Sequence, residues 1–190
     1  MKIILASSNK HKVKEINAIV SSSNIEFILP PQDFDPIENG KTFEENSLIK
    51  AKAAWELGKT WTLADDSGLC IDALNGAPGI HSARYAETPQ ARIDRVLKEM
   101  HSSNNRSACF KCCMTLLNPD GEVAFSYTGV CEGSIVETQR GINGFGYDPI
   151  FLVDGTDKTM AELSEDEKNE ISHRGKALKE IIKYLANLQL

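Results

Sequence analysis

The sequence predicts an α/β protein: a mixed central β-sheet flanked by helices, arranged as two lobes with a substrate cleft between them. Three observations carry this. Short apolar runs of strand character alternate with segments of helical periodicity through the first half of the chain. A hairpin signal, Asn118-Pro119-Asp120-Gly121, joins two alternating runs near the middle. The C-terminal segment carries an apolar stripe at Leu178, Ile181, Ile182 and Leu185, the spacing of one helix face. A length of 190 residues fits one domain, in one or two lobes, with a sizeable core.

The elements follow in order. Residues 2–6 read as a buried strand. The turn Ser7-Ser8-Asn9 leads into a helix over 10–20, whose apolar positions are Val13, Ile16 and Val20. Residues 25–29 form a second strand, ended by Pro30-Pro31, and an acidic stretch from Gln32 to Lys41 follows, with a turn at Asn39-Gly40. Thr42-Phe43-Glu44-Glu45 is a capping box that opens a helix to about Leu57, with Gly58 as its stop. Residues 61–64 form a third strand. Asp65-Asp66-Ser67-Gly68 forms its tip, and 69–71 form a short strand beyond. Residues 75–78 are loop.

Thr88-Pro89 opens a helix to about Met100, with Pro at its first position. The hairpin arms are 107–117 and 122–130, and 134–136 form a further short strand. Residues 141–149 are a glycine-rich loop. Ser164-x-x-Glu167 and Ser172 mark two helix starts, the last helix covering about 174–188.

Composition excludes several classes. The net charge of −6, with no block of Lys or Arg, disfavours a nucleic-acid partner. No stretch is apolar enough to span a bilayer. The apolar run at the N-terminus is too short for a signal peptide and meets Asn9-Lys10-His11-Lys12 at once, so a cytoplasmic protein is expected. Of the five cysteines, Cys109, Cys112 and Cys113 form a C-x-x-C-C run. A zinc site needs four ligands and no second cluster exists, so they read as small apolar strand residues.

Several segments are candidates for chemistry. Ser7, Ser8, Asn9, Lys10, His11 and Lys12 join a strand to a helix N-terminus. Backbone amides and the helix dipole favour an anion there, although a plain helix cap explains the same residues. Asp65 and Asp66 end a strand, where ligand sites gather in α/β sheets. Adjacent carboxylates repel, and a divalent cation relieves them; an acidic turn is the alternative. Glu45 has a structural role in the capping box. Glu38, on the loop before it, has none and is free to join a metal site. Asn46 and Lys50 share a helix face, facing either an anion or solvent. The run 141–149 sets Phe145 and Tyr147 among glycines, either stacking on a flat base or filling a tight turn. Lys168, with Ser172-His173-Arg174, gathers donors at a helix start.

Taken together, the segments resemble one family, the Ham1-like inosine triphosphate pyrophosphatases, or XTP/dITP diphosphatases. The matching pieces are Ser8-Asn9-x-x-Lys12, Thr42-Phe43-x-Glu45-Asn46, Lys50-Ala51, Ala64-Asp65-Asp66-Ser67-Gly68-Leu69, Gly76-x-Pro78-Gly79, Ser82-Ala83-Arg84-Tyr85, Gly144-Phe145-Gly146-Tyr147-Asp148-Pro149-Ile150-Phe151, Ala161-Glu162-Leu163 and Ile171-Ser172-His173-Arg174. They run in order over nearly the whole chain.

The resemblance implies an enzyme that cleaves non-standard purine nucleoside triphosphates to monophosphate and pyrophosphate. It implies Mg2+ held by Glu38 and Asp66, with Asp66 also the proton acceptor for water. Ser7–Lys12 and Lys50 would hold the triphosphate, and Ser67 would touch substrate. Phe145, Gly146, Tyr147, Asp148, Lys168, His173 and Arg174 would hold the base and sugar. It also implies a homodimer. Two positions depart from the family: Ser7-Ser8-Asn9 stands where Thr-Gly-Asn or Thr-His-Asn is usual, and Cys109 where Arg is frequent. A pyrophosphatase for pyrimidine or modified nucleotides and a nucleotide-binding module without turnover are the rival readings.

Overall fold

The computed structural model describes residues 1–20, 25–30 and 34–188. The sequence readings at Pro31 and Gln32 lie outside them. The strands are β1 (Lys2–Ala6), β2 (Glu26–Ile28), β3 (Thr62–Ile71), β4 (Ser107–Leu117), β5 (Val123–Ile135) and β6 (Phe151–Val153). They form one sheet in the order β2-β1-β3-β4-β5-β6. β1 runs parallel to β2 and β3, and β5 antiparallel to β6, so the sheet is mixed. Among the described residues the helices are α1 (Lys10–Val20), α2 (Phe43–Gly58), α3 (Pro89–Glu99), α4 (Glu165–Ile171) and α5 (His173–Ala186), with four short 3-10 turns besides.

The chain divides into two compact units, and β3, β4 and β5 each contribute residues to both. The first unit holds Met1–Asp66, Cys112–Gly129 and Arg174–Leu190. Its core has two parts. One gathers Ile3, Leu5, Ile16, Leu63, Met114, Leu178 and Ile181, from α1, α5 and the strands. The other gathers Ile4, Ala6, Ala51, Ala54, Ala64 and Leu117, with α2. Odd and even residues of β1 therefore serve different helices, as the two-residue period of a strand requires. The second unit holds Ser67–Lys111 and Val130–His173, around a core that includes Leu69, Val96, Phe110, Ile135 and Phe151.

Helix ends follow local chemistry. Thr42 caps α2 by accepting from the Glu45 amide at 3.1 Å. The reciprocal arm of the expected box is displaced: the Glu45 carboxylate accepts from the Lys41 amide, one residue earlier. The left-handed residue closing α2 is Lys59, with φ 45°, not Gly58. Thr88 with Pro89 opens α3, and Ser164 with Glu167 forms a complete capping box on α4.

Three expectations need correction. Residues 61–64 and 69–71 are not separate strands with a tip between them. β3 runs unbroken through Asp65, Asp66, Ser67 and Gly68. Carboxylates are tolerated inside a strand here because each has a cation on its own face, as described below. Second, 134–136 is no separate strand; β5 continues through it to Ile135. Third, Phe151–Val153 forms an edge strand that its short run did not announce.

Candidate active site

In the first unit, β1 and β3 lie side by side with Leu5 opposite Leu63 and Ala6 opposite Ala64. Where β1 ends, the chain turns through Ser7 into α1, beside the β3 residues Asp65 and Asp66. The first turn of α1 is capped by Asn9, whose Oδ1 accepts from the His11 amide at 3.0 Å and the Lys12 amide at 3.4 Å. Ser7 Oγ accepts from the Asn9 amide at 3.2 Å. Ser7 is buried, while Ser8, Asn9, Lys10 and His11 are exposed.

Adjacent side chains on β3 point to opposite faces, and the two aspartates separate accordingly. Asp65 faces α1 and α5. Its Oδ2 lies 2.8 Å from Lys12 Nζ and 3.5 Å from Arg174 Nη2. Arg174 Nη1 also donates to Glu15 on α1. Asp66 faces α2, with its Oδ1 2.8 Å from Lys50 Nζ. Lys50 Nζ also lies 3.4 Å from Glu38 Oε2. Asp65 is thus compensated by protein cations through Oδ2, while its Oδ1 is buried without a hydrogen-bond partner among the described residues.

The proton affinities diverge for the same reason. Burial works against a charge on Asp65, yet Lys12, Arg174 and Lys50 together outweigh it and hold its carboxyl well below the usual carboxylate range. At Asp66 burial wins: its carboxyl is raised, in spite of Lys50 and Lys12, with Glu38 adding to the rise. Burial opposes the charge on Lys50 too, but Asp65, Asp66 and Glu38 outweigh it, and its ammonium is strengthened.

A divalent cation fits beside Asp66. Its second oxygen, Oδ2, is buried and has no hydrogen-bond partner among the described residues. Two carboxylates, Glu38 and Asp66, share the single ammonium of Lys50, leaving the group net negative. Magnesium favours one or two carboxylates completed by waters and phosphate oxygens.

In the second unit, the loop before the 3-10 turn Asp148–Ile150 is folded around one carboxylate. Asp148 Oδ2 accepts from the Phe145 amide at 2.8 Å and from Lys168 Nζ, on α4, at 2.7 Å. Lys168 Nζ lies 4.9 Å from the Phe145 ring centroid. Gly144, at φ +72°, is required: a Cβ there would stand 2.0 Å from Asp148 Oδ2. Phe145 and Gly146 are half-buried. Tyr147 is not presented for stacking; its ring belongs to the core and its hydroxyl donates to the Ser82 carbonyl at 2.9 Å. His173 stacks on Phe110 with centroids 4.8 Å apart. Ser67 is half-buried on β3.

Of the residues the sequence singles out, the structure brings Asp66, Glu38 and Lys50 together and sets Lys12 on Asp65, while the sequence reading assigns no role to Asp65 or Glu15. Asp65 is the partner of Lys12 and Arg174, and Glu15 is a second partner of Arg174. Strand parity would have placed Asp65 on the α1 face, had β3 been read as continuous. Nothing in the sequence signals the Glu15–Arg174 pair, whose members lie 159 positions apart.

A mixed α/β sheet with a buried carboxylate–lysine centre beside a capped helix N-terminus is the architecture of a phosphate-handling enzyme class. The family model described as "Ham1 family" matches residues 3–184, and the chain belongs to that family. A relative from Treponema denticola, named dITP/XTP pyrophosphatase, is 48% identical over 194 residues, covering 97% of this chain and 98% of its own. Another of the same name, from Oceanobacillus iheyensis, is 49% identical over 193 residues, again 97% and 98%. Among solved structures, a HAM1 protein from Coxiella burnetii has a TM-score of 0.89 at 42% identity, covering 98% of this chain and 99% of its own. The Ham1 protein of Staphylococcus aureus has a TM-score of 0.88 at 39% identity, with the same coverage.

Proposed function

We propose that this chain hydrolyses non-standard purine nucleoside triphosphates (ITP, dITP and XTP) to the monophosphate and pyrophosphate, with Mg2+. Its relatives' name, dITP/XTP pyrophosphatase, supports the substrate class. The observation that carries the chemistry is the buried Asp66 carboxyl, with one oxygen on Lys50 and the other unpartnered among the described residues.

Asp66 accepts a proton from the attacking water. Water attacks the α-phosphorus, the bond to the bridging oxygen breaks, and pyrophosphate leaves. Glu38 and Asp66 would hold Mg2+, and the bound ion would supply positive charge to offset that of the leaving pyrophosphate. Lys50 and Lys12 neutralise further charge, and Ser7, Ser8, Asn9, Lys10 and His11 bring hydroxyl, amide and backbone donors to the phosphates. Lys12 reaches substrate by leaving Asp65, so the triphosphate competes with that carboxylate for it.

The base and sugar are handled by Phe145, Gly146, Tyr147, Asp148, Lys168, His173 and Arg174, with Ser67 touching substrate. Lys168, held by Asp148, is a donor for a C6 keto oxygen, which adenine lacks. Phe145 offers a ring face for stacking, while Tyr147 serves through its backbone. Arg174 acts chiefly by fixing Asp65. We place the enzyme in the cytoplasm as a homodimer, without nucleic-acid partners. No helix among the described residues is long and apolar enough to cross a membrane.

The test is pyrophosphate release from ITP, dITP, XTP, GTP, ATP, dUTP and dTTP, with and without Mg2+. A site built for a keto group should prefer ITP over ATP by on the order of 10⁴ in kcat/KM. Equal rates across the purines, preference for a pyrimidine, or binding without turnover would reject the reading.

A further inference from the structure

The carboxylate centre needs Glu38 to be held at a fixed place, yet Glu38 lies on a loop with no regular structure of its own. Two side chains of α2 hold its far end: the Glu45 carboxylate accepts from the Lys41 amide, and Asn46 lies closer to Glu38. Asn46, on the first turns of α2, is completely buried, and its Oδ1 accepts from the Gly40 amide at 2.9 Å. The orientation of the amide follows from chemistry: the Gly40 N–H is a donor, so it must face oxygen. Nδ2 is then turned away from Gly40 and has no acceptor among the described residues.

Position 40 is shaped for this contact. A Cβ on Gly40 would stand 2.6 Å from Asn46 Oδ1 and 2.7 Å from Glu45 Cβ, so only glycine lets the loop lie this close to α2. Gly40 is two residues beyond Glu38. Asn46 is four residues before Lys50 and therefore on the same helix face. One turn of α2 thus presents Lys50 to the Glu38 carboxylate, 3.4 Å away, while the turn before it fixes the backbone that carries Glu38.

We propose that Asn46 is the positioning residue of the metal site: through Gly40 it sets Glu38 against Asp66 and Lys50. It does not touch the reacting atoms. The inference rests on the proposed metal-dependent reaction at this site. A burial of this kind is costly for an amide with an idle donor, which is consistent with a role at the site rather than in packing alone.

The experiment measures Mn2+ binding by electron paramagnetic resonance, with and without pyrophosphate, alongside the Mg2+ dependence of ITP hydrolysis. Asn46→Ala removes the acceptor. Asn46→Asp keeps an acceptor for Gly40 and loses the Nδ2 donor. Gly40→Ala breaks the same contact from the loop side and covers the case in which Asn46→Ala does not fold. Asn46→Ala and Gly40→Ala should raise the metal dissociation constant about tenfold or more, by the loss of a fixed ligand, whereas Asn46→Asp should bind Mn2+ as wild type does or more tightly. Unchanged metal binding in folded Asn46→Ala and Gly40→Ala would overturn the proposal. So would an Asn46→Asp as weak as Asn46→Ala, which would assign the effect to the donor. Failure of the underlying reading is separate: wild-type protein would then show no metal-dependent hydrolysis at all.

Discussion

Asp65 and Asp66 are consecutive in the chain, yet they answer to different cations on opposite faces of β3: Lys12 and Arg174 for the first, Lys50 for the second. The two carboxylates therefore do different work, and substitutions should separate them.

Asp65→Asn should act on stability. It removes the buried counter-charge of Lys12 and one of the two carboxylates on Arg174, which keeps Glu15, and breaking a buried pair from one side costs about 3–5 kcal/mol. Urea unfolding in the presence of a chelator measures this. The pH dependence has a fixed sign. An ordinary aspartate in the unfolded chain titrates near ~3.9, and Asp65 in the folded chain titrates lower. Its contribution is therefore full above that value and is lost as pH falls below it. The acid limb of the wild-type stability curve should be shallower in the variant.

Asp66→Asn should act on turnover. The amide oxygen can still accept from Lys50, which keeps Glu38 as a counter-charge, so the loss of stability should be smaller than at Asp65. Loss of the proton acceptor should lower kcat by about 10²–10⁴-fold. Pyrophosphate release together with thermal melting checks both halves, and wild-type turnover would remove Asp66 from the mechanism.

Lys50→Met should move metal binding and catalysis in opposite directions. Without the ammonium, Glu38 and Asp66 are left with uncompensated charge, and Mn2+ should bind the nucleotide-free protein more tightly. Hydrolysis should nevertheless fall, because Lys50 also neutralises the triphosphate. Weaker Mn2+ binding in the folded variant would contradict this account.

Asp148→Asn should raise KM for ITP more than it lowers kcat. The Phe145 amide keeps an oxygen to donate to, but Lys168 loses a buried charge partner and its fixed position. That weakens a contact made equally in ground and transition states. Steady-state kinetics with ITP would show it, and an unchanged KM would place Lys168 outside the base site.

Much of this was legible in the sequence. Strand-end helix entry at Ser7-Ser8-Asn9 is visible from the change of period, and Asn9 does cap α1. Ser164-x-x-Glu167 is a capping box by local chemistry alone, and forms one. The acidic pair was visible, but its division was not. Charged residues inside a run lower its apparent strand character, so β3 read as two pieces. The 3-10 turns and the edge strand at Phe151–Val153 are too short for any periodicity to mark.

Sequence alone determined the family, the alternation of strands and helices, and the residue types at the candidate site, because local propensity and ordered motifs are written along the chain. Tertiary structure decided which charge meets which. Glu15 and Arg174, or Lys12 and Asp65, are brought together because α1 and α5 pack on the same face of the sheet, over β3. Electrostatic pairing depends on distance in space and on burial, and neither is carried by spacing in sequence.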